Sequence, residues 1–253
     1  MKLVKKNIMK KVNWLEIGVF YFVAVIVSAP FRLGLIQIEK VLPLPYGLNS
    51  LYTILRGIGP LVGFVVVFYF FKSSTKRQLS FWGKKRLGSI LAAIIIPIGL
   101  SVVGIQNNSG FNPHYYGILY GFTLIFYSLG EEYGWRGYLQ EALAPLKTFQ
   151  KILLIAILWY VWHLNFLIAG ISIKTHIIHF ISLILGSWGL LRITEITKSI
   201  LFACAVHLSF NLLSDLQGSL NDRLIIIFIS IGVWILLLIL MYKKRTFDAA
   251  EEK

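Results

Sequence analysis

The chain has 253 residues, 57% of them hydrophobic and 15% aromatic, and a mean hydropathy of +0.74, which excludes a soluble domain with a largely polar surface. Its 25 Lys and Arg against 11 Asp and Glu give a formal net charge of +14, but the basic residues gather at the ends of apolar runs instead of interleaving with aromatics, so the charge points to a lipid bilayer and not to nucleic acid. A single cysteine, Cys204, allows no internal disulfide and no thiolate metal cage.

Crossing a hydrocarbon core about 30 Å thick takes about 20 residues of helix. In chain order, the apolar runs predict spans over about 14–35, 51–71, 87–105, 115–143, 152–169, 176–191, 199–213 and 224–242. The first follows a basic start but is long and lacks a small-residue cleavage site, so it reads as a retained span and not a signal peptide. Lys2, Lys5, Lys6, Lys10 and Lys11 place the N-terminus in the cytoplasm, and the clusters at Lys72 to Arg86, Lys147 with Lys151, Arg192 with Lys198, and Lys243 to Arg245 then fall on the same side. The opposite loops are poor in positive charge: "IQNNSGFNPHYY" has none, "AGISIKT" has Lys174, and "SDLQGSLNDR" has Arg223 with two acids.

The expected fold is therefore an all-α polytopic membrane bundle of about eight helices, with both termini cytoplasmic, in a cell membrane. No repeat of 20–50 residues and no linker divides the chain, so 1–253 forms one domain. Prolines at 30, 60 and 97 fall inside spans, where neighbours can satisfy the freed carbonyls. "GILYG", from Gly117 to Gly121, has the small-xxx-small spacing of close helix packing.

The fourth span carries an anomaly, "GEEYGWRGYLQEAL". A charged group at the bilayer centre costs about 2.5–3.5 kcal/mol by insertion scales, so intramembrane acids are functional candidates. Glu131 and Glu132 point about 100° apart on a helix, whereas Glu132 and Arg136 share a face at the i,i+4 spacing of an ion pair. Glu132 is then neutralised and Glu131 left unpaired. The competing interpretation puts both acids in the headgroup region without chemistry. Two further polar sites argue against it: His163 in "WYVWHLNF" and His207 with Asn211, one turn apart, in "CAVHLSFN". Counted from the basic ends of their spans, Glu131, His163 and His207 lie at roughly 12–18 Å depth. A shared polar site in the cytoplasmic half explains all three. A carboxylate beside a histidine suits water activation, and His207 with Asn211 can present two donors to one oxyanion.

These residues carry a resemblance. Glu131-Glu132-x-x-x-Arg136 with Gly137-Tyr138-Leu139, an aromatic ahead of His163, and His207-x-x-x-Asn211 resemble, in this order, the CAAX protease and bacteriocin-processing (CPBP) family, also called Abi intramembrane proteases. The resemblance covers about 117–213. It implies about eight helices, Glu131 activating water, His163 assisting, His207 and Asn211 stabilising the oxyanion, and Glu132 and Arg136 in support. Where the family pattern usually has Phe, this chain has Trp159, which keeps an aromatic wall of altered shape. The implied activity is hydrolysis of a peptide bond in a membrane protein, a leader peptide or a prenylated peptide, without a cofactor. Family members also act as bacteriocin self-immunity proteins and sensor-kinase partners, so a noncatalytic partner role is the alternative.

Other chemistries are open to the same residues. Glu131, His163 and His207 are the alternative ligand set for Zn2+, although His-Glu-x-x-His is absent. Cys204 lies three residues before His207 but reads as buried packing, the usual role of a free cysteine. A proton-coupled transporter would use the acids and histidines as a relay, yet such proteins show repeated halves, and none is detectable here. His114, His176 and His179 read as interfacial, with Trp14, Trp82, Tyr115, Tyr116 and Tyr242 as an aromatic belt.

Overall fold

A computed structural model describes residues 11–41, 48–73, 75–107, 110–214 and 219–251. Lys2, Lys5, Lys6 and Lys10 of the basic N-terminus lie outside the described residues, as do the side chains of Tyr242 and of Lys243 to Arg245. Among the described residues the regular elements are helical, with one isolated β-bridge between Ser80 and Ser199. The principal helices are α1 (Trp14–Arg32), α2 (Gly59–Val65), α3 (Arg86–Val103), α4 (Pro113–Gly134), α5 (Thr148–His163), α6 (Ile173–Thr197), α7 (Ile200–Ser214) and α8 (Leu220–Glu251). Among the described residues four stretches are helices long and apolar enough to cross a membrane: α1, α3, α6 and Leu220–Leu240 of α8.

Local chemistry sets several boundaries. Asn13 caps α1 by accepting from the Glu16 amide and donating its own Nδ2 to Glu16 Oε1 at 2.7 Å. Pro113 opens α4, where its missing N–H is no loss, and the preceding Asn112 accepts from the His114 amide. The expected continuous span 51–71 is corrected. A short helix, Thr53–Gly57, stops and α2 restarts at Gly59, with Pro60 in its first turn, because proline cannot donate to the preceding turn. The fifth span is also shorter than 152–169. Leu164 adopts φ 58°, which ends α5 at His163.

α4 packs against α2, α3 and α7, which makes it the central helix. A Cβ on Gly117 or Gly121 would collide with Leu100 or Pro97 of α3, so "GILYG" has the close-packing role expected of it. Gly130 and Gly134, on either side of the glutamates, approach the backbone at Gly57 and Pro60 in the same way. One apolar cluster, including Ile96, Tyr120, Phe202 and Trp234, joins α3, α4, α7 and α8. A second, including Phe20, Phe64, Trp135 and Trp162, joins α1, α2 and α5 to the chain that follows α4. The glutamates sit between these clusters. Outward-facing Phe22, Val102, Ile177 and Phe228 remain exposed, as expected of a surface solvated by lipid.

Candidate active site

Beyond Gly134 the α4 helix widens into a π turn, Trp135–Leu139, an irregularity that often marks functional places. Glu132 precedes it and is fully buried. Its Oε2 lies 3.1 Å from Arg136 Nε, the predicted i,i+4 pair. Its Oε1 accepts a hydrogen bond from His207 Nδ1 at 2.8 Å, tying α4 to α7. With a carboxylate as acceptor, Nδ1 carries the proton and Nε2 is the nitrogen left for a ligand. Arg136 is also fully buried, with its guanidinium 5.0 Å from the centroid of the Trp159 ring.

Glu131 is not the unpaired acid expected. Its Oε2 accepts from the Trp159 indole N–H at 2.6 Å, and its Oε1 lies 3.7 Å from Arg32 Nη2. The two acids do face different neighbours, and the end of α1 supplies Arg32 to Glu131. Among the described residues Oε1 has no hydrogen-bond partner. Trp159 is therefore more than an aromatic wall, because it holds one oxygen of Glu131.

Trp159, His163, His207 and Asn211 line one cavity of about 550 Å³. The Trp159 ring stands 5.2 Å from His207 and 6.1 Å from His163, centroid to centroid. His163 Nδ1 donates to the Trp159 carbonyl at 2.7 Å; since a carbonyl only accepts, the tautomer is settled and Nε2 is the basic nitrogen. Asn211 Nδ2 donates to Ser128 Oγ at 3.3 Å. Glu131 and Glu132 are not among the lining residues, whereas Tyr127 and Trp159, which lie beside Glu131, are.

His176 and His179, expected at an interface, line this same cavity. The His179 ring is 4.7 Å from that of His163, and His176 Nδ1 meets the Tyr160 hydroxyl at 3.0 Å. His114, at the start of α4, is exposed and bonds the Ser101 carbonyl. Cys204 is buried beside Leu79 and Ile200, a packing environment. Among the described residues no three His, Cys, Asp or Glu side chains group as metal ligands, and His163 and His207 turn Nδ1 to the Trp159 carbonyl and Glu132, which leaves Nε2 of each available.

The cavity extends to the α5–α6 connection. Its wall includes Asn165, Ile171 and Thr175 from the α5–α6 connection and Leu213 near the end of α7. These are the helix ends opposite Lys147, Lys151 and Lys198.

Residues 113–213 match a family described as type II CAAX prenyl endopeptidase, Rce1-like. The matched segment holds every residue of the motifs and bears out the resemblance that they carry. No curated protein matches the chain.

Proposed function

Proceeding from the match of residues 113–213 to Rce1-like endopeptidases, we propose that the protein is an intramembrane endopeptidase that hydrolyses a peptide bond with a water activated by Glu131. The observation that supports this most directly is the unequal treatment of two adjacent buried acids. Glu132 meets two cationic or protonated groups, with Arg136 Nε 3.1 Å from one oxygen and His207 bonded to the other, while Glu131 has a neutral indole on one oxygen and Arg32 standing 3.7 Å from the other, beside a cavity bearing Trp159, His163, His207 and Asn211.

In this reading water reaches Glu131 Oε1 past Tyr127 and Trp159. The carboxylate takes a proton as the water oxygen bonds to the scissile carbonyl carbon. Asn211 Nδ2–H and, in its imidazolium form, His207 Nε2–H stabilise the resulting oxyanion. Collapse breaks the C–N bond, and the proton held by Glu131 passes to the leaving amine. His163 Nε2 aligns the water or relays that proton. The zinc-free mechanism uses these residues alone.

The chain crosses the membrane about eight times in this reading, with both termini and the basic loops in the cytoplasm. The cavity then opens away from the cytoplasm. A membrane-protein segment or an exported leader peptide fits that access better than a prenylated cytoplasmic tail. Reporters fused after Lys253 and inserted at Gly110 should give opposite sides, and a single cysteine at Ile171, in a Cys204→Ser background, should react with an impermeant thiol reagent from outside. Labelling of that cysteine only from the cytoplasm would reverse the orientation and restore the prenylated peptide as the favoured substrate.

The activity is tested with a quenched peptide library and purified protein. Wild type should cleave, and Glu131→Gln should fold and bind peptide without cleaving. Equal cleavage by the two would remove Glu131 as the base; cleavage by neither would favour the noncatalytic partner role.

A further inference from the structure

We propose that Arg32 is a positioning residue for Glu131: a fixed cation that balances the charge of the base and holds its orientation without capping the oxygen that takes the proton. The proposal rests on the reading of Glu131 as the base. Arg32 lies on α1, outside the segment matched by the family.

The guanidinium is anchored independently of Glu131. Nε donates to the Arg56 carbonyl at 3.1 Å, and Nη2 donates to the Tyr127 hydroxyl at 3.0 Å. Its carbon stands 3.5 Å from the centroid of the Trp162 ring, which is itself held by an indole N–H donated to the Ala24 carbonyl. Contacts from three segments thus define where the cation sits, as the planar and delocalised guanidinium permits.

Glu131 meets this cation at a distance that matters. The 3.7 Å between Nη2 and Oε1 is an ion-pair distance but lies beyond a hydrogen bond. At that distance Oε1 receives Coulombic stabilisation from Arg32 without a hydrogen bond from Nη2. Oε2 is meanwhile pinned by Trp159 at 2.6 Å. One oxygen is held by a neutral donor and the other is left to accept a proton near a fixed charge. Glu132 shows the contrasting arrangement, with Arg136 3.1 Å from one oxygen and His207 bonded to the other. A base needs the first arrangement and a structural anchor the second.

A purely structural Arg32 would serve only to neutralise a buried acid; its loss would lower the yield of folded protein and leave the turnover of folded molecules intact. The two roles separate in kcat and KM, measured per folded molecule for Arg32→Gln, Arg32→Lys and Glu131→Gln with one peptide substrate. Arg32→Gln should lose about 10²-fold in kcat with KM within about threefold of wild type, and Arg32→Lys should recover about tenfold by restoring the charge. A kcat for Arg32→Gln within about threefold of wild type overturns the proposal, as does an equal loss in the Lys and Gln variants. Should Arg32→Gln not accumulate, Tyr127→Phe removes the hydroxyl that anchors Nη2: a kcat lowered about tenfold supports the proposal, and a wild-type kcat overturns it. Wild-type cleavage by Glu131→Gln would instead defeat the base assignment, whatever the Arg32 variants do.

Discussion

Glu131 and Glu132 are consecutive residues of one helix and both are buried, yet they belong to different parts of the molecule. Glu132 looks towards α7 and its own next turn. Both its oxygens are engaged by cationic or protonated groups, Arg136 and His207, which are themselves buried. Glu131 looks towards α1 and α5, where a neutral indole holds one oxygen and an arginine stands back from the other. The difference teaches how one helix can hand two adjacent acids to different neighbours. A rotation of about 100° per residue is enough to give neighbouring carboxylates separate partners. Glu132 joins α4 to α7 through His207, whereas Glu131 is tied to α5 through Trp159 and faces Arg32 of α1 at ion-pair distance.

The largest expected effects break this comparison if they exchange. Glu131→Gln keeps a carbonyl that can accept from Trp159 but cannot take a proton from water, and Arg32 retains its other anchors. Cleavage should therefore fall by about 10²- to 10⁴-fold, the contribution of a general base, with a melting temperature close to wild type. Glu132→Gln also keeps an acceptor for His207 but leaves Arg136 buried without a counter-charge. Removing one partner of a buried pair costs about 3–5 kcal/mol, so this variant should melt lower and accumulate poorly. Melting curves and peptide cleavage of both purified variants, in one detergent, test the assignment. A stable, inactive Glu132→Gln beside an unstable, active Glu131→Gln would reverse it.

Much of this arrangement was legible in the sequence wherever one helix sufficed to read it. The i,i+4 relation of Glu132 to Arg136 and the close packing of Gly117 and Gly121 follow from helical geometry alone. The family motifs brought His163, His207 and Asn211 to one cavity. What escaped were partners distant in the chain, since periodicity reports which face a residue occupies and not what another helix presents to it. Arg32 lies 99 positions from Glu131 and Trp159 lies 28 away. One signal for Arg32 was present: with the basic ends in the cytoplasm, Arg32 and Arg56 fall on the side otherwise poor in positive charge, which asks for a local partner. The early end of α5 had no comparable signal. "HLNFLIAG" stays apolar past His163, and it is the left-handed backbone at Leu164 that turns the chain. The same turn brings His176 and His179, at the start of α6, to the cavity.

The smallest expected effect sharpens the comparison. Trp159→Phe restores the residue usual in the family pattern, keeps an aromatic ring beside His207, and removes the one N–H that Glu131 Oε2 accepts. Hydrogen bonds to charged groups contribute about 1.5–3 kcal/mol, so the variant should melt measurably lower. Arg32 still balances the charge of Glu131, and the donors of His207 and Asn211 are untouched, so turnover should fall only about three- to tenfold with KM little changed. The comparison with Arg32 is informative because the two residues hold opposite oxygens: losing the indole loosens the base, while losing the cation leaves its charge unbalanced. If Trp159→Phe lowers the melting temperature and leaves kcat at the wild-type value, the indole hydrogen bond serves the fold alone. Trp159 would then belong with Arg136 and His207 among the groups that anchor α4, and the control of the base would rest on Arg32.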